Sequence, residues 1–179
     1  MSAAVGPFLV LPGWLSSGPA HWQSLWEVDD PAFVRVHQRV WDAPERDEWV
    51  ATLDDAVRGA GPSAVLVAHS MGCLTVAHWA AATELTIRGA LLVAVPDPAG
   101  PQFPAAARGF ASVPMGRLPF ATTVVVSDDD PYASAAFSSD CARAWGARIV
   151  SVGARGHING ESGLGRWPEG RALVADLAR

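Results

Sequence analysis

Six short apolar runs recur along the chain with longer, helix-like stretches between them: Phe8 to Leu11, Phe33 to Val36, Ala64 to Ala68, Ala90 to Val95, Thr122 to Val126 and Arg148 to Val152. Few architectures accept that alternation. Strands separated by helical crossovers pair in parallel, and a parallel sheet must have both faces covered. The central runs are continuously hydrophobic instead of alternating, as strands buried on both sides should be. The pattern predicts an α/β fold with a sheet of about six parallel strands and helices on both faces. At 179 residues the chain fits a single domain, 1–179, long enough to bury a proper core. No internal repeat competes with this reading.

The third run stops abruptly at a serine held between small residues, in Ala68-His69-Ser70-Met71-Gly72-Cys73, and an alanine-rich helical stretch follows. This is the pattern of a nucleophile elbow. A serine on such a strand-to-helix turn sits in a strained backbone conformation, so the residues two before and two after it must be small. The usual form carries glycine at both places; here Ala68 takes the first. The turn lifts the hydroxyl to the end of the sheet. It also leaves the Met71 N–H at a helix N-terminus, where unpaired amides and the helix dipole favour developing negative charge.

The other strand ends supply candidates for its partners. The first run ends in Pro12-Gly13-Trp14-Leu15, a glycine turn at the edge where α/β sheets bind ligands. In Pro19-Ala20-His21-Trp22-Gln23-Ser24-Leu25-Trp26-Glu27, the residues Trp22, Leu25 and Trp26 fall at helical spacing, which reads as a core stripe, while His21 reads as a cap or brace. Trp49, Leu53 and Val57 mark an amphipathic helix with acids in its first turn. From Pro96 to about Pro119 the chain is rich in Pro, Gly and Ala. It has room for a short helix near Ala105 to Phe110 and for a loop or partial lid, but for no large cap domain. The fifth run enters Ser127-Asp128-Asp129-Asp130-Pro131, where a solvated acidic turn, a triad acid and a metal site compete. Consecutive acids point in different directions and lack the spaced calcium loop, so metal is the weakest reading. The last run ends in Gly153-Ala154-Arg155-Gly156-His157-Ile158-Asn159-Gly160, a histidine in a glycine-flanked loop before a final helix near Trp167 to Ala178.

Composition excludes several classes. The net charge of −5, with scattered arginine, argues against nucleic acid and anionic membranes as partners. No apolar run is long enough to span a bilayer. The start Met1-Ser2-Ala3-Ala4-Val5-Gly6-Pro7 has no basic or signal-like character and reads as untargeted. Two cysteines, Cys73 and Cys141, are too few for a disulfide framework and lack metal-site spacing, so free buried thiols in a cytoplasmic protein are the expectation. The arginine-dominated positive charge points weakly to a high-GC bacterial source. No cofactor is called for.

Taken together, Ser70, an aspartate of the 128–130 cluster and His157 follow in the order Ser, Asp, His of α/β-hydrolase triads. A serine hydroxyl is too weak an acid to attack unaided, so His157 would take its proton and Asp130 would orient the imidazole. Backbone N–H groups of Met71 and Trp14 would hold the oxyanion. On loop position, Trp14, His21, Trp22 and Phe103 are candidate pocket residues. His69, with its side chain turned aside, is a weak competitor of His157, as is His21; His37 and His78 read as structural or surface groups.

The chain resembles the small serine hydrolases of the retinoblastoma-binding protein 9 family and their bacterial relatives. The resemblance lies in Leu11-Pro12-Gly13, His21-Trp22, Ala68-His69-Ser70-Met71-Gly72, Ser127-Asp128-Asp129-Asp130-Pro131 and Gly156-His157-Ile158-Asn159. It implies a compact α/β-hydrolase fold, Ser70 and His157 as nucleophile and base, and the Asp before proline, Asp130, as the acid. Asp128 and Asp129 remain its competitors. The implied partner is a small-molecule ester or amide, with an esterase as the simplest reading. An amidase or peptidase with the same triad, or a weakly catalytic binding protein on this fold, are the alternatives. Retinoblastoma-protein binding is not carried over, because no residues here demand it.

Overall fold

The computed structural model describes residues 6–179, so the reading of the N-terminal segment as untargeted falls, for residues 1–5, outside the described residues. Six strands form one sheet: β1 (Phe8–Leu11), β2 (Phe33–Arg35), β3 (Val65–His69), β4 (Gly89–Val93), β5 (Ala121–Val126) and β6 (Arg148–Ser151). They lie in the order β2-β1-β3-β4-β5-β6, and every neighbouring pair is parallel. Each expected run is a strand, with ends moved by at most two residues.

The helices are α1 (Trp22–Asp29), α2 (Arg46–Ala60), α3 (Met71–Ala82), α4 (Ala135–Trp145) and α5 (Pro168–Leu177). Alternate side chains of each strand enter opposite layers. Leu9, Leu11, Leu66, Ala68 and Leu92 pack with Trp49, Leu53 and Val57 of α2, with α3, and with Cys141 and Trp145 of α4. Phe8, Val10, Val67 and Leu91 pack with Trp22 and Trp26 of α1 and with Val174 of α5. Trp49, Leu53 and Val57 on one side and Trp22 and Trp26 on the other thus face the sheet as their spacing predicts, but Leu25 of the expected α1 stripe is only half-buried. The third buried residue of α1 is Gln23, whose amide donates to Leu11 O and Val67 O. Leu53 is fully buried, and its truncation to alanine would cost roughly 2–5 kcal/mol. Among the described residues no helix is long and apolar enough to cross a membrane.

One local expectation fails. No helix forms near Ala105 to Phe110; the segment is a series of turns. Its backbone is used elsewhere, since Arg108 N–H donates to Pro44 O and Arg108 O accepts from Arg46 N–H, which lays the segment against the start of α2. Phe110 is buried against Trp49. Alanine content favoured a helix, but hydrogen bonds to a distant segment satisfied the backbone first.

Candidate active site

The C-terminal edge of the parallel sheet collects the loops after β1, β3, β4, β5 and β6, the place where open α/β sheets bind ligands. Ser70 lies between β3 and α3 with φ 54° and ψ −125°, a conformation few non-glycine residues adopt. Close packing enforces the bend. A Cβ on Gly72 would lie 2.4 Å from Leu11 O, and one on Gly13 would lie 2.8 Å from Ser70 Cβ. Both glycines are therefore steric requirements of the turn and of the loop above it. Ala68, fully buried, fits the other side of the elbow.

The Ser70 hydroxyl lies 2.8 Å from His157 Nε2, and His157 Nδ1 lies 2.9 Å from each carboxylate oxygen of Asp130. Ser70 is a donor to Nε2 only if the proton of the ring sits on Nδ1, and that N–H then donates to Asp130. The partners thus select one tautomer. The side chains of His157 and Asp130 are almost entirely buried. Tyr132 stacks on the imidazole at 4.2 Å between ring centroids.

The three aspartates have separate partners. Asp130 faces His157 and also accepts from Tyr132 N–H. Asp129 accepts from Gly156 N–H at 2.7 Å and from Ser127 Oγ at 2.9 Å, and these bonds hold its carboxyl below the usual range. Asp128 is exposed and reaches only Ser151 Oγ, at 3.4 Å. Ser127 Oγ in turn accepts from Arg155 N–H. The Ser127–Pro131 segment is therefore bonded both to the imidazole and to the backbone that carries it.

The opposite side of the His157 loop is held from the core. His69 Nε2 donates to His157 O and Trp22 Nε1 donates to Ile158 O, both at 2.8 Å. Ile158 is fully buried at φ 49°, a strained conformation for a β-branched residue. His69 is thus no spectator turned aside: it supports the base through its backbone. Burial keeps His69 neutral, with its acidity further shifted by His21 and His157. His21 caps α1 by accepting from Gln23 N–H at Nδ1, which leaves the proton on Nε2. Burial, with help from the charge of Arg35 and from His157, lowers its pKa to about 3. The rings of His21, His69 and His157 meet edge to face in series, with centroids 4.6 and 4.8 Å apart.

On the other flank of Ser70, the loop after β1 carries two consecutive positive-φ residues, Leu15 and Ser16. Leu15 N–H donates to Trp41 O and the Trp14 indole to Asp42 O. The Trp14 and Met71 backbone N–H groups, the sequence candidates for oxyanion donors, make no hydrogen bond to protein acceptors among the described residues. A cavity of about 540 Å³ opens beside Ser70. Trp14, His21 and Phe103 line it, whereas Trp22 does not; it lies in the core beneath. Sequence reading missed Leu15, Pro104, Tyr132 and Glu161 among its walls. The one available signal was position, since Tyr132 and Glu161 each follow a triad candidate within four residues.

The remaining candidates stay apart from this chemistry. His37 is exposed, and His78 packs against Phe110. Cys73 and Cys141 are buried free thiols; burial raises both, Cys141 to about 11, so neither is a nucleophile at neutral pH. Among the described residues no three His, Cys, Asp or Glu side chains converge as a metal site requires.

A family model described as serine hydrolase matches residues 8–176. No functionally curated protein matches the sequence. A protein described as a YdeN-like hydrolase, from Pectobacterium atrosepticum, is 30% identical with a TM-score of 0.84, covering 96% of this chain and 90% of that one. The ydeN gene product of B. subtilis is 19% identical with a TM-score of 0.80, over 96% and 98% of the two chains. The monoacylglycerol lipase of Paleococcus ferrophilus is 14% identical with a TM-score of 0.73, over 96% and 93%. The last two likenesses speak to the fold alone.

Proposed function

The chain belongs to the serine hydrolase family, on an α/β-hydrolase fold, and from that premise we propose that it cleaves small esters through a Ser70–His157–Asp130 triad and an acyl-enzyme intermediate. The observation that carries the reading is the unbroken hydrogen-bond relay from Ser70 Oγ through His157 to Asp130, at 2.8 and 2.9 Å. In the first half-reaction His157 Nε2 takes the hydroxyl proton as Ser70 Oγ bonds to the substrate carbonyl carbon. Asp130 stabilises the imidazolium. The oxyanion of the tetrahedral intermediate accepts from the N–H groups of Met71 and Trp14, each worth roughly two to three orders of magnitude in rate. The carbon–oxygen bond to the leaving group then breaks, and His157 gives its proton to the departing alcohol. Water repeats the sequence on the acyl-enzyme and releases the acid.

The finer placement belongs to the same reading. We assign the chain to the retinoblastoma-binding protein 9 type, on the motifs named above, as a bacterial, single-domain enzyme acting without a cofactor. The two free thiols support a cytoplasmic setting. Its partner is a small-molecule ester or amide, with neither nucleic acid nor membrane required.

The first test is labelling of the folded protein by a fluorophosphonate, beside Ser70→Ala, with mapping of the adduct. An adduct on Ser70, absent from the variant, together with loss of turnover by about 10⁶-fold in Ser70→Ala, is the expected result. Folded protein that takes no label would instead mark a binding protein on a hydrolase fold. Matched ester and amide substrates then separate esterase from amidase.

A further inference from the structure

The cavity beside Ser70 differs from its surroundings in charge. The thirteen cationic side chains of the protein are all arginines, and none lines the cavity. The nearest are already committed or lie outside it. Arg35 is spent on Glu27, Ser16 and Ser24, and Arg155 lines a neighbouring depression that shares Tyr132, His157, Asn159 and Glu161 with the cavity. The histidines of the cavity wall do not make up the deficit, because burial holds His21 and His69 in their neutral forms. The one formally charged side chain in the lining is the carboxylate of Glu161, exposed at the rim. It makes no ion pair among the described residues. Its backbone N–H donates to Asn159 Oδ1 at the start of the short helix Gly160–Ser162. The buried Asp130 adds a second negative charge behind His157. The rest of the wall is apolar or uncharged and includes Trp14, Leu15, Met71, Phe103 and Pro104.

Resting on the serine-hydrolase reading, we propose that this site selects substrates without a negative charge, and that Glu161 enforces the selection by repelling carboxylate-bearing acyl groups. Two physical effects act in the same direction. An anionic acyl chain entering the cavity would lose hydration without finding a cation to replace it. It would also share the cavity with the Glu161 carboxylate, and like charges repel. Discrimination by an unfavourable contact is a recognised route to specificity. A neutral acyl chain meets neither cost and gains contact with the apolar wall. The proposal narrows the substrate class to neutral esters or amides with a short apolar acyl part, sized to a cavity of about 540 Å³.

The test compares two esters of one alcohol, 4-methylumbelliferyl butyrate and 4-methylumbelliferyl hemisuccinate, whose acyl chains are of equal length and differ in a terminal methyl against a carboxylate. With spontaneous hydrolysis subtracted, kcat/KM for the butyrate should exceed that for the hemisuccinate by about 100-fold. Glu161→Gln should lower that ratio by about threefold and Glu161→Arg by at least about tenfold. A ratio does not depend on the fraction of protein that folds, so a poorly expressed variant still reports. Equal turnover of the two esters by the wild type would overturn the proposal while leaving the hydrolase reading intact. A high ratio unmoved by either variant would overturn the role of Glu161. Turnover of neither ester by protein that also takes no fluorophosphonate on Ser70 would instead sink the hydrolase reading on which the proposal rests.

Discussion

The two loops that flank Ser70 are both strained, yet they are held in opposite ways. The His157 loop has positive φ at Gly153, Gly156 and Ile158, and is bonded from two sides by side chains. Asp129 and Ser127 take its N–H groups on one side, and the buried Trp22 and His69 donate to successive carbonyls on the other. The loop after β1 has positive φ at Leu15 and Ser16 and is tied to Trp41, Asp42 and the Arg35 guanidinium, but its apolar side chains stay open. Trp14 is 36% and Leu15 57% exposed, against 1% for Trp22. The difference matches what each loop must do. A base must deliver a proton across a hydrogen bond, and a misplacement of about 1 Å can cost on the order of 100-fold in rate. A binding wall gains from apolar surface left uncovered.

Breaking the relay itself should give the largest effect and should separate the three acids. Asp130→Asn is expected to lower kcat by about 10⁴-fold, because the imidazole loses its orienting acceptor and takes the wrong tautomer. Asp129→Asn, which touches the loop backbone and Ser127 but not the imidazole, should cost on the order of 10- to 100-fold. Asp128→Asn should change kcat by less than about threefold, as exposed substitutions usually do. Steady-state kinetics on one ester settle the order; a largest loss at Asp128 or Asp129 would remove Asp130 from the triad.

The support beneath the base should fail in acid before the rest of the molecule. His21 refuses a proton down to about pH 3 in the folded protein, whereas an unfolded chain takes it near pH 6.5. Between those values the unfolded state binds more protons, so stability is fully present above about pH 6.5 and falls as pH drops toward 3. The slope from one such group is about 1.4 kcal/mol per pH unit, and His69 acts in the same direction. Urea midpoints at pH 7 and pH 5 should therefore differ less in His21→Asn, which keeps a capping acceptor, than in the wild type. Unchanged acid sensitivity in that variant would show that the histidines are not the cause.

A smaller pair of effects sharpens the contrast between the loops. Trp22→Phe keeps an aromatic side chain, smaller than the indole, but leaves Ile158 O without its donor; the lost hydrogen bond alone should cost about 1–3 kcal/mol, with a lower kcat and little change in KM. Leu15→Ala should stay within about 0.5 kcal/mol of the wild type in stability while raising KM a few-fold. Thermal melts and kinetics on both variants check this. Equal destabilisation by the two would erase the distinction drawn here.

Much of this was legible in the residues. Trp49, Leu53 and Val57, or Trp22 and Trp26, announce their helix faces by spacing, because burial on one side of a helix is a periodic property of the local chain. Ala68 and Gly72 announce the elbow, because a sharp turn excludes side chains nearby. Other features were silent. Nothing local distinguishes His69 from a bystander, since its acceptor is His157 O, distant in the chain. The helix expected near Ala105 was undone by partners at Pro44 and Arg46, equally remote in sequence.

The sequence by itself determined the parallel sheet, the position of Ser70 at its edge and the chain order of Ser70, Asp130 and His157. Hydrophobic period and turn sterics act over a few residues and can be read there. Only the tertiary structure decided how Asp128, Asp129 and Asp130 divide between solvent, loop backbone and imidazole. It alone also decided that the wall beside Ser70 contains Glu161 and no arginine. Consecutive residues of a turn point in different directions, and a cavity is bounded by segments that meet only when the sheet has formed, so neither outcome is a property of any local stretch of chain.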